Sequence, residues 1–82
     1  MERMLVGKVV HYYGHIGVAV VELSGGLKSG DRIAFEGKEA FEQQVASMQV
    51  QHKPVQEAKA GESVGLKTDQ PVHEGDAVYM VE

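Results

Sequence analysis

Apolar and polar residues alternate in short runs along this chain, and a glycine-acid pair precedes three of the runs. In each case apolar residues stand two and four positions after the acid, as Ile33 and Phe35 do after Gly30-Asp31. Glycine can adopt the positive φ of a tight turn, and the neighbouring carboxylate can accept hydrogen bonds from the turn. The alternation that follows predicts strands with one buried face. The chain is therefore expected to be a small all-β domain.

These runs, with other segments rich in β-branched and aromatic residues, predict about six strands. Their positions are 5–13, 18–23, 31–36, 40–51, 63–68 and 76–81. The turn residues between them have the spacing of a small barrel or sandwich. In the first strand, Val6, Lys8, Val10 and Tyr12 are predicted on one face and the alternate residues on the other. Gly7 indicates a bend or a close backbone approach there.

Three connecting segments need separate interpretation. Residues 36–39 are expected to join the third and fourth strands as a hairpin. Residues 40–51 are compatible with a helix, but their apolar positions change phase near Ala46-Ser47, which favours a strand with a β-bulge. Residues 52–61 form the longest connection, and Pro54 and Gly61 bracket room for about one helical turn.

Composition and charge narrow the class of protein. The 82 residues are 43% hydrophobic and 24% charged, which indicates a single globular domain over residues 1–82. The net charge of −4 gives no electrostatic reason to expect general binding of DNA or RNA. The start of the chain is too charged for a signal peptide, and no apolar run approaches membrane-spanning length. A cytoplasmic protein without a membrane partner is expected.

Candidate catalytic and ligand-binding patterns are weak. His11 and His15 lack a third ligand nearby, and the chain has no cysteine, so no metal is expected. Residues 61–68 approach a phosphate-binding loop, but glycine does not directly precede Lys67-Thr68, and an alternating strand surrounds that pair. No serine stands in a nucleophile-elbow motif. The sequence predicts neither an enzyme nor a cofactor.

Two adjacent tyrosines offer a candidate binding surface instead. Tyr12 and Tyr13 lie on a predicted strand, so one is expected in the core and the other at the surface. An exposed tyrosine beside Lys8, His11 and His15 could stack on a base or a peptide ring. The alternative, in which both tyrosines pack against barrel side chains or a neighbouring loop, is favoured because tyrosine is largely apolar.

The order of the motifs resembles the second domain of translational GTPases, the elongation and initiation factors. The matching segments are 16–23, 26–33, 45–49, 57–66 and 74–78, and they include the turns at Gly30-Asp31 and Gly61-Glu62. The chain is also similar to the barrel at the end of U32-family peptidases, especially at Met48-Gln49 and residues 52–55. Both resemblances imply a closed or partly open six-stranded β-barrel of the translation-protein type.

The resemblance implies a non-catalytic binding module, and it leaves two partners open. The translation-factor resemblance implies docking on tRNA, ribosomal RNA or a ribosome-associated protein. The alternative is a protein-interaction accessory module of a U32 peptidase-like enzyme, without RNA binding, and the acidic balance of the chain favours it. The candidate partner-binding residues are Lys8, Tyr12, Tyr13, His15, Arg32 and Lys67.

Overall fold

A computed structural model describes residues 3–37 and 40–81, and within them the chain forms ten β-strands and no helix. The strands are β1 (Arg3–Tyr13), β2 (Val18–Leu23), β3 (Leu27–Lys28), β4 (Arg32–Glu36), β5 (Phe41–Gln44), β6 (Met48–Val50), β7 (Lys53–Val55), β8 (Glu57–Ala58), β9 (Ser63–Lys67) and β10 (Ala77–Val81). Eight of them form one antiparallel sheet in the order β5-β4-β10-β1-β2-β9-β6-β7, and β3 pairs with β8. The predicted barrel-like all-β fold is confirmed.

The three predicted glycine-acid turns share one hydrogen-bonded geometry. In each turn the acid donates its backbone N–H to the carbonyl three residues earlier at 3.1 Å. The acid's carboxylate accepts from the backbone N–H of that same earlier residue, at 2.7–2.9 Å. The glycines, Gly30, Gly61 and Gly75, have φ of 92–94°, as the third residue of a type II turn requires. The apolar residues that follow are buried or pack against the core, as predicted.

Strand β1 presents every third residue to the core. Val6 and Val9 are buried and Tyr12 packs against the core, whereas Val10 and Lys8 are exposed. The predicted two-face alternation of this strand is therefore wrong. The pairing shifts between Leu5 and Gly7 against β10, and between Val9 and His11 against β2, and each shift changes the face that follows.

Gly7 marks a close approach of two strands, as predicted. A Cβ added at Gly7 would lie 2.7 Å from Val21 Cγ1 and 2.8 Å from the Glu22 carbonyl oxygen. These distances are too short for any side chain, so the glycine allows β1 to cross β2 closely where the strand bends.

Residues 40–51 are extended, as predicted, but they do not form one bulged strand. Strand β5 pairs with β4, whereas β6 pairs with β9 and β7, so the chain passes from one edge of the sheet to its other end. Hydrogen bonds of Val45 attach this crossing segment to the Gly30-Asp31 turn. The Val45 N–H donates to the Asp31 carbonyl, and the Val45 carbonyl accepts from the Gly30 N–H, both at 2.8 Å. The phase change near Ala46-Ser47 reflects this change of partner.

The remaining connections are the β4–β5 hairpin and the segment over residues 52–61. Strands β4 and β5 pair as an antiparallel hairpin, as expected, although Lys38 and Glu39 of its connection lie outside the described residues. The helical turn predicted within 52–61 is wrong, because this segment contains β7 and β8. Pro54 is compatible with β7 because that strand pairs only with β6, and proline is tolerated on an edge strand. The predicted count of six strands is too low, because residues 40–51 form two strands, residues 52–61 contain two more, and β3 lies between the second and third predicted strands.

The core lies inside the curled sheet and is continuous. It includes Phe35, Ile33, Leu27, Met48 and Leu66, all 0–1% exposed, with valines from β1, β2, β9 and β10 around them. The edge strand β5 is tied to the end of β9 by the buried side chain of Gln43. Within residues 3–37 and 40–81 there is no helix that could span a membrane.

Candidate functional site

A groove of about 710 Å³ lies on the outer face of β2, β9 and β6. Because Ala19 and Val21 are buried, the alternate residues Val18 and Val20 point outward and line its floor. Opposite Val20 on β9 stands Gly65, which is also paired with Gln49 of β6. Gly65 presents no side chain, so the middle of the floor is open.

One wall of the groove is the turn between β1 and β2. Tyr13 and Ile16 stand there, 51% and 63% exposed. The Tyr13 carbonyl accepts from the Gly17 N–H at 2.9 Å, and the Gly17 carbonyl in turn accepts from the Thr68 N–H at 2.9 Å. The rings of His11 and Tyr13 form a T-shaped pair with a centroid distance of 4.4 Å. The wall is thus anchored to the end of β9.

The opposite wall is the hairpin between β6 and β7. Its two-residue turn consists of Gln51 and His52, which both line the groove and have φ of 52° and 64°. A two-residue hairpin turn of type I′ requires positive φ at both positions, where glycine or asparagine is favoured. Residues with long side chains therefore occupy a left-handed conformation at the edge of the groove.

The groove carries one permanent charge among the described residues that line it. Among the lining residues that the structure describes, Lys67 is the one lysine, arginine or carboxylate, and it stands opposite Val18. Glu22 follows Val20 on the same outward row of β2, opposite Ser63. The groove therefore has a cationic end at Lys67 and an apolar middle, with the carboxylate beyond its far end.

Two serines and one histidine also line the groove. Ser47, Ser63 and His52 line it, but no hydrogen bond joins any two of them in the part of the chain that the structure describes. Nucleophilic catalysis requires a nucleophile and a base within hydrogen-bonding reach, with a third group orienting the base. Across residues 3–37 and 40–81, no three histidine, aspartate or glutamate side chains converge to hold a metal ion. The arrangement can bind a ligand through apolar, polar and cationic contacts.

The six predicted partner-binding residues do not form one surface. Tyr13 and Lys67 both line the groove, so the structure brings these two together. Tyr12 packs against the core, while His15 is exposed in the β1–β2 turn outside the lining. Lys8 lies exposed on β1. Arg32 lies on β4, where its Nε is 2.8 Å from Oε1 of Glu42.

Sequence reasoning missed most of the groove, although one signal was present. Val18 and Val20 alternate with Ala19 and Val21, so both faces of β2 are apolar, where an outer face exposed to water would carry polar residues. That pattern indicates an outer face that either binds a ligand or is covered by other residues. His52 gives no such signal in the sequence, because its place in the groove depends on the pairing of β6 with β9.

Comparison with known proteins gives a sequence relative and several solved structures. No family model matches the chain. Over 81 residues it is 46% identical to a protein of Methanocaldococcus jannaschii named an uncharacterized protease. This match covers 96% of the chain and 20% of the relative, so the chain spans about a fifth of that protein's length.

Two of the structures are crystal structures of the C-terminal domain of a Geobacillus thermoleovorans protein described as a U32 peptidase. One has a TM-score of 0.90 at 20% identity and covers 96% of this chain and 93% of that domain. The other, the selenomethionine variant, has a TM-score of 0.86 at 22% identity, covering 90% of this chain and 95% of the domain. None of these findings supports the resemblance to translational GTPases. The chain has the barrel-like all-β fold of a U32 peptidase C-terminal domain.

Proposed function

We propose that this chain is a non-catalytic, protein-interaction module that serves a U32 peptidase-like polypeptide. The observation that carries the proposal is the sequence match, in which nearly the whole chain corresponds to one fifth of a protein named as a protease. A module that recurs as a fraction of a larger enzyme commonly supplies binding or positioning while the chemistry resides elsewhere.

The groove supports this role through its chemistry. Its lining combines exposed apolar side chains, such as Tyr13 and Ile16, with amides and hydroxyls. Aromatic and aliphatic surface with a few polar groups is typical of sites that bind another polypeptide. Among the described residues, no hydrogen bond joins its serines to His52, whereas a hydrolytic site pairs its nucleophile with a base.

The translation-factor interpretation receives less support from the distribution of charge. Both arginines of the chain pair with glutamates: Arg32 with Glu42, and Arg3 with Glu36 and Glu42. The net charge is −4, whereas RNA docking requires a cluster of uncompensated cations. A ribosomal partner therefore stands as the competing outcome of the test below.

Affinity purification with the tagged chain from cells of its own organism tests the proposal. We expect mass spectrometry to find a U32 peptidase-like polypeptide enriched over a purification with an equally tagged, unrelated β-barrel of similar charge. In parallel, the chain is sedimented with ribosomes at low and at raised salt, because RNA contacts weaken as salt increases. Salt-sensitive association with ribosomes, or no enrichment of a peptidase-like polypeptide, would overturn the proposal.

A further inference from the structure

We infer that the groove binds a short, extended and acidic peptide segment in which bulky apolar side chains flank a carboxylate. The inference deepens the proposed function, on which it rests for the expectation of a polypeptide partner. It names the chemistry of that partner from the shape, charge and backbone of the groove.

The dimensions of the groove fit an extended segment of a few residues. Lys67 and Ser63 line it four residues apart on β9. At a strand rise of about 3.3 Å per residue, this separation is roughly 13 Å, the length of about four extended residues. Gly65 stands midway between them, and its φ lies outside the positive range that would demand glycine. The missing side chain there opens space for the ligand.

The apolar lining of the groove is the reason to expect bulky apolar side chains in the ligand. Val18 and Val20 form the floor, and Tyr13 and Ile16 stand beside them with more than half of their surfaces exposed. Covering exposed apolar side chains with an apolar ligand group is favourable by about 25 cal/mol per Å². Aliphatic side chains of a peptide fit between these residues.

The charge of the groove is the reason to expect a carboxylate in the ligand. Lys67 has no carboxylate within 4.0 Å among residues 3–37 and 40–81, and the described lining contains no acid. In a chain of net charge −4, this lysine is thus uncompensated within the site. The carboxylate of Glu22 lies toward the Ser63 end, so an acid of the ligand is attracted to the Lys67 end and repelled from the other.

The hairpin at Gln51-His52 is an independent observation at the same place. Left-handed backbone conformations at non-glycine residues cost about 1–2 kcal/mol each. The two non-glycine residues with positive φ among the described residues are these two, and both line the groove. Strained backbone conformations cluster at binding and active sites, where they place side chains for function. The hairpin places an amide and an imidazole where the ligand's backbone can meet them.

A nucleic acid fits these observations less well. Tyr13 could stack on a base and Lys67 could meet one phosphate, but successive phosphates each need a cation, and the described lining holds one. The valines and Ile16 suit aliphatic groups, which bases lack. A single-stranded RNA is therefore a competing ligand in the test.

Titration of the ¹⁵N-labelled chain, followed by two-dimensional NMR, tests the inference. The probes are the blocked pentapeptide acetyl-Gly-Leu-Glu-Leu-Gly-amide, the same peptide with Gln in place of Glu, and a six-nucleotide oligouridine RNA. We expect the Glu peptide to shift backbone amide signals at Val18, Gln49, Gly65 and Lys67. It should bind roughly two- to fivefold more tightly than the Gln peptide, since one surface charge pair is worth about that much.

Three variants make the expectation specific to the groove. Lys67→Gln should remove the preference for the Glu peptide, whereas Lys28→Gln, which changes an exposed lysine outside the lining, should retain it. Gly65→Val should weaken both peptides about tenfold or more, a loss of about 1.4 kcal/mol. An added Cβ there lies 3.5 Å from Val18 Cγ1, an ordinary contact, and the amide spectrum of the free variant shows whether the fold is retained.

Several results would overturn the inference. These are an absence of groove shifts at millimolar Glu peptide, equal affinity for both peptides, a preference that survives in Lys67→Gln, or tighter binding of the RNA at the same amides. The titration uses the isolated chain and defined peptides. Its failure is therefore distinguishable from failure of the affinity purification, which concerns the partner polypeptide and not the groove.

Discussion

The side-chain carbonyl of Gln43 accepts a hydrogen bond from the backbone N–H of Asp69 at 2.8 Å. The same carboxamide donates through Nε2 to the Lys67 carbonyl, also at 2.8 Å. Gln43 belongs to the end strand β5, and β9 ends at Lys67, although the two strands are not neighbours in the sheet. One buried side chain, 4% exposed, therefore ties the end strand β5 to the chain that follows β9.

Gln43→Met is predicted to destabilise the chain by about 2 kcal/mol, because a side chain of similar size removes two hydrogen bonds worth about 1 kcal/mol each. Urea unfolding followed by circular dichroism measures the change. Gln44→Met is the matched control, since Gln44 is exposed on the same strand and its replacement should stay within about 0.5 kcal/mol. Equal effects of the two substitutions would show that the Gln43 contacts contribute nothing to stability.

Replacing the glycine of any one of the three glycine-acid turns by alanine is predicted to cost about 1–2 kcal/mol. The three losses should agree closely, because nothing lies within 4 Å of a Cβ added at Gly30, Gly61 or Gly75, and their φ angles are 92–94°. The cost is then purely that of the backbone conformation. Gly14→Ala is the control: Gly14 has no positive φ, and the added Cβ lies 3.7 Å from Tyr12. Thermal unfolding of the four variants measures these losses of stability. Widely different losses among the three turn variants would contradict the prediction.

The three-residue period of β1 predicts that the adjacent Val9 and Val10 contribute very differently to the stability of the fold. Val9→Ala should destabilise by about 2 kcal/mol, because it removes two buried methyl groups and leaves a cavity. Val10→Ala should change stability by less than about 0.5 kcal/mol. Val9 is 0% exposed and Val10 is 41% exposed. Urea unfolding of both variants tests the assignment, and a larger loss for Val10→Ala would place the bulge elsewhere.

Substitution of the β6–β7 turn, Gln51→Asn together with His52→Gly, is predicted to stabilise the chain by about 1 kcal/mol or more. Asparagine and glycine adopt the left-handed conformations of a type I′ turn with less strain than glutamine and histidine. The melting temperatures of the double variant and of Gln51→Asn alone, each compared with that of the unsubstituted chain, measure the effect. If the groove uses these side chains, stability should rise while peptide binding weakens. An unchanged or lowered melting temperature would argue against the left-handed turn.

Local chemistry allowed much of the fold to be predicted from the sequence. The turns at Gly30-Asp31, Gly61-Glu62 and Gly75-Asp76 and the strands that follow them were predictable, because turn geometry and side-chain alternation depend on neighbouring residues. The strand at 18–23 was also predictable to its ends. An all-β architecture follows from these elements alone.

Tertiary structure decided the rest, because pairing between distant segments overrides local alternation. The bulges of β1 exist only where β10 and β2 pair with it, and the crossing near Val45 depends on the turn at Asp31. The candidate site likewise depends on both the local sequence and the pairing of distant segments. Tyr13 and Lys67 were each predicted to bind a partner, but they are 54 positions apart, and only the pairing of β2 with β9 places them in one groove.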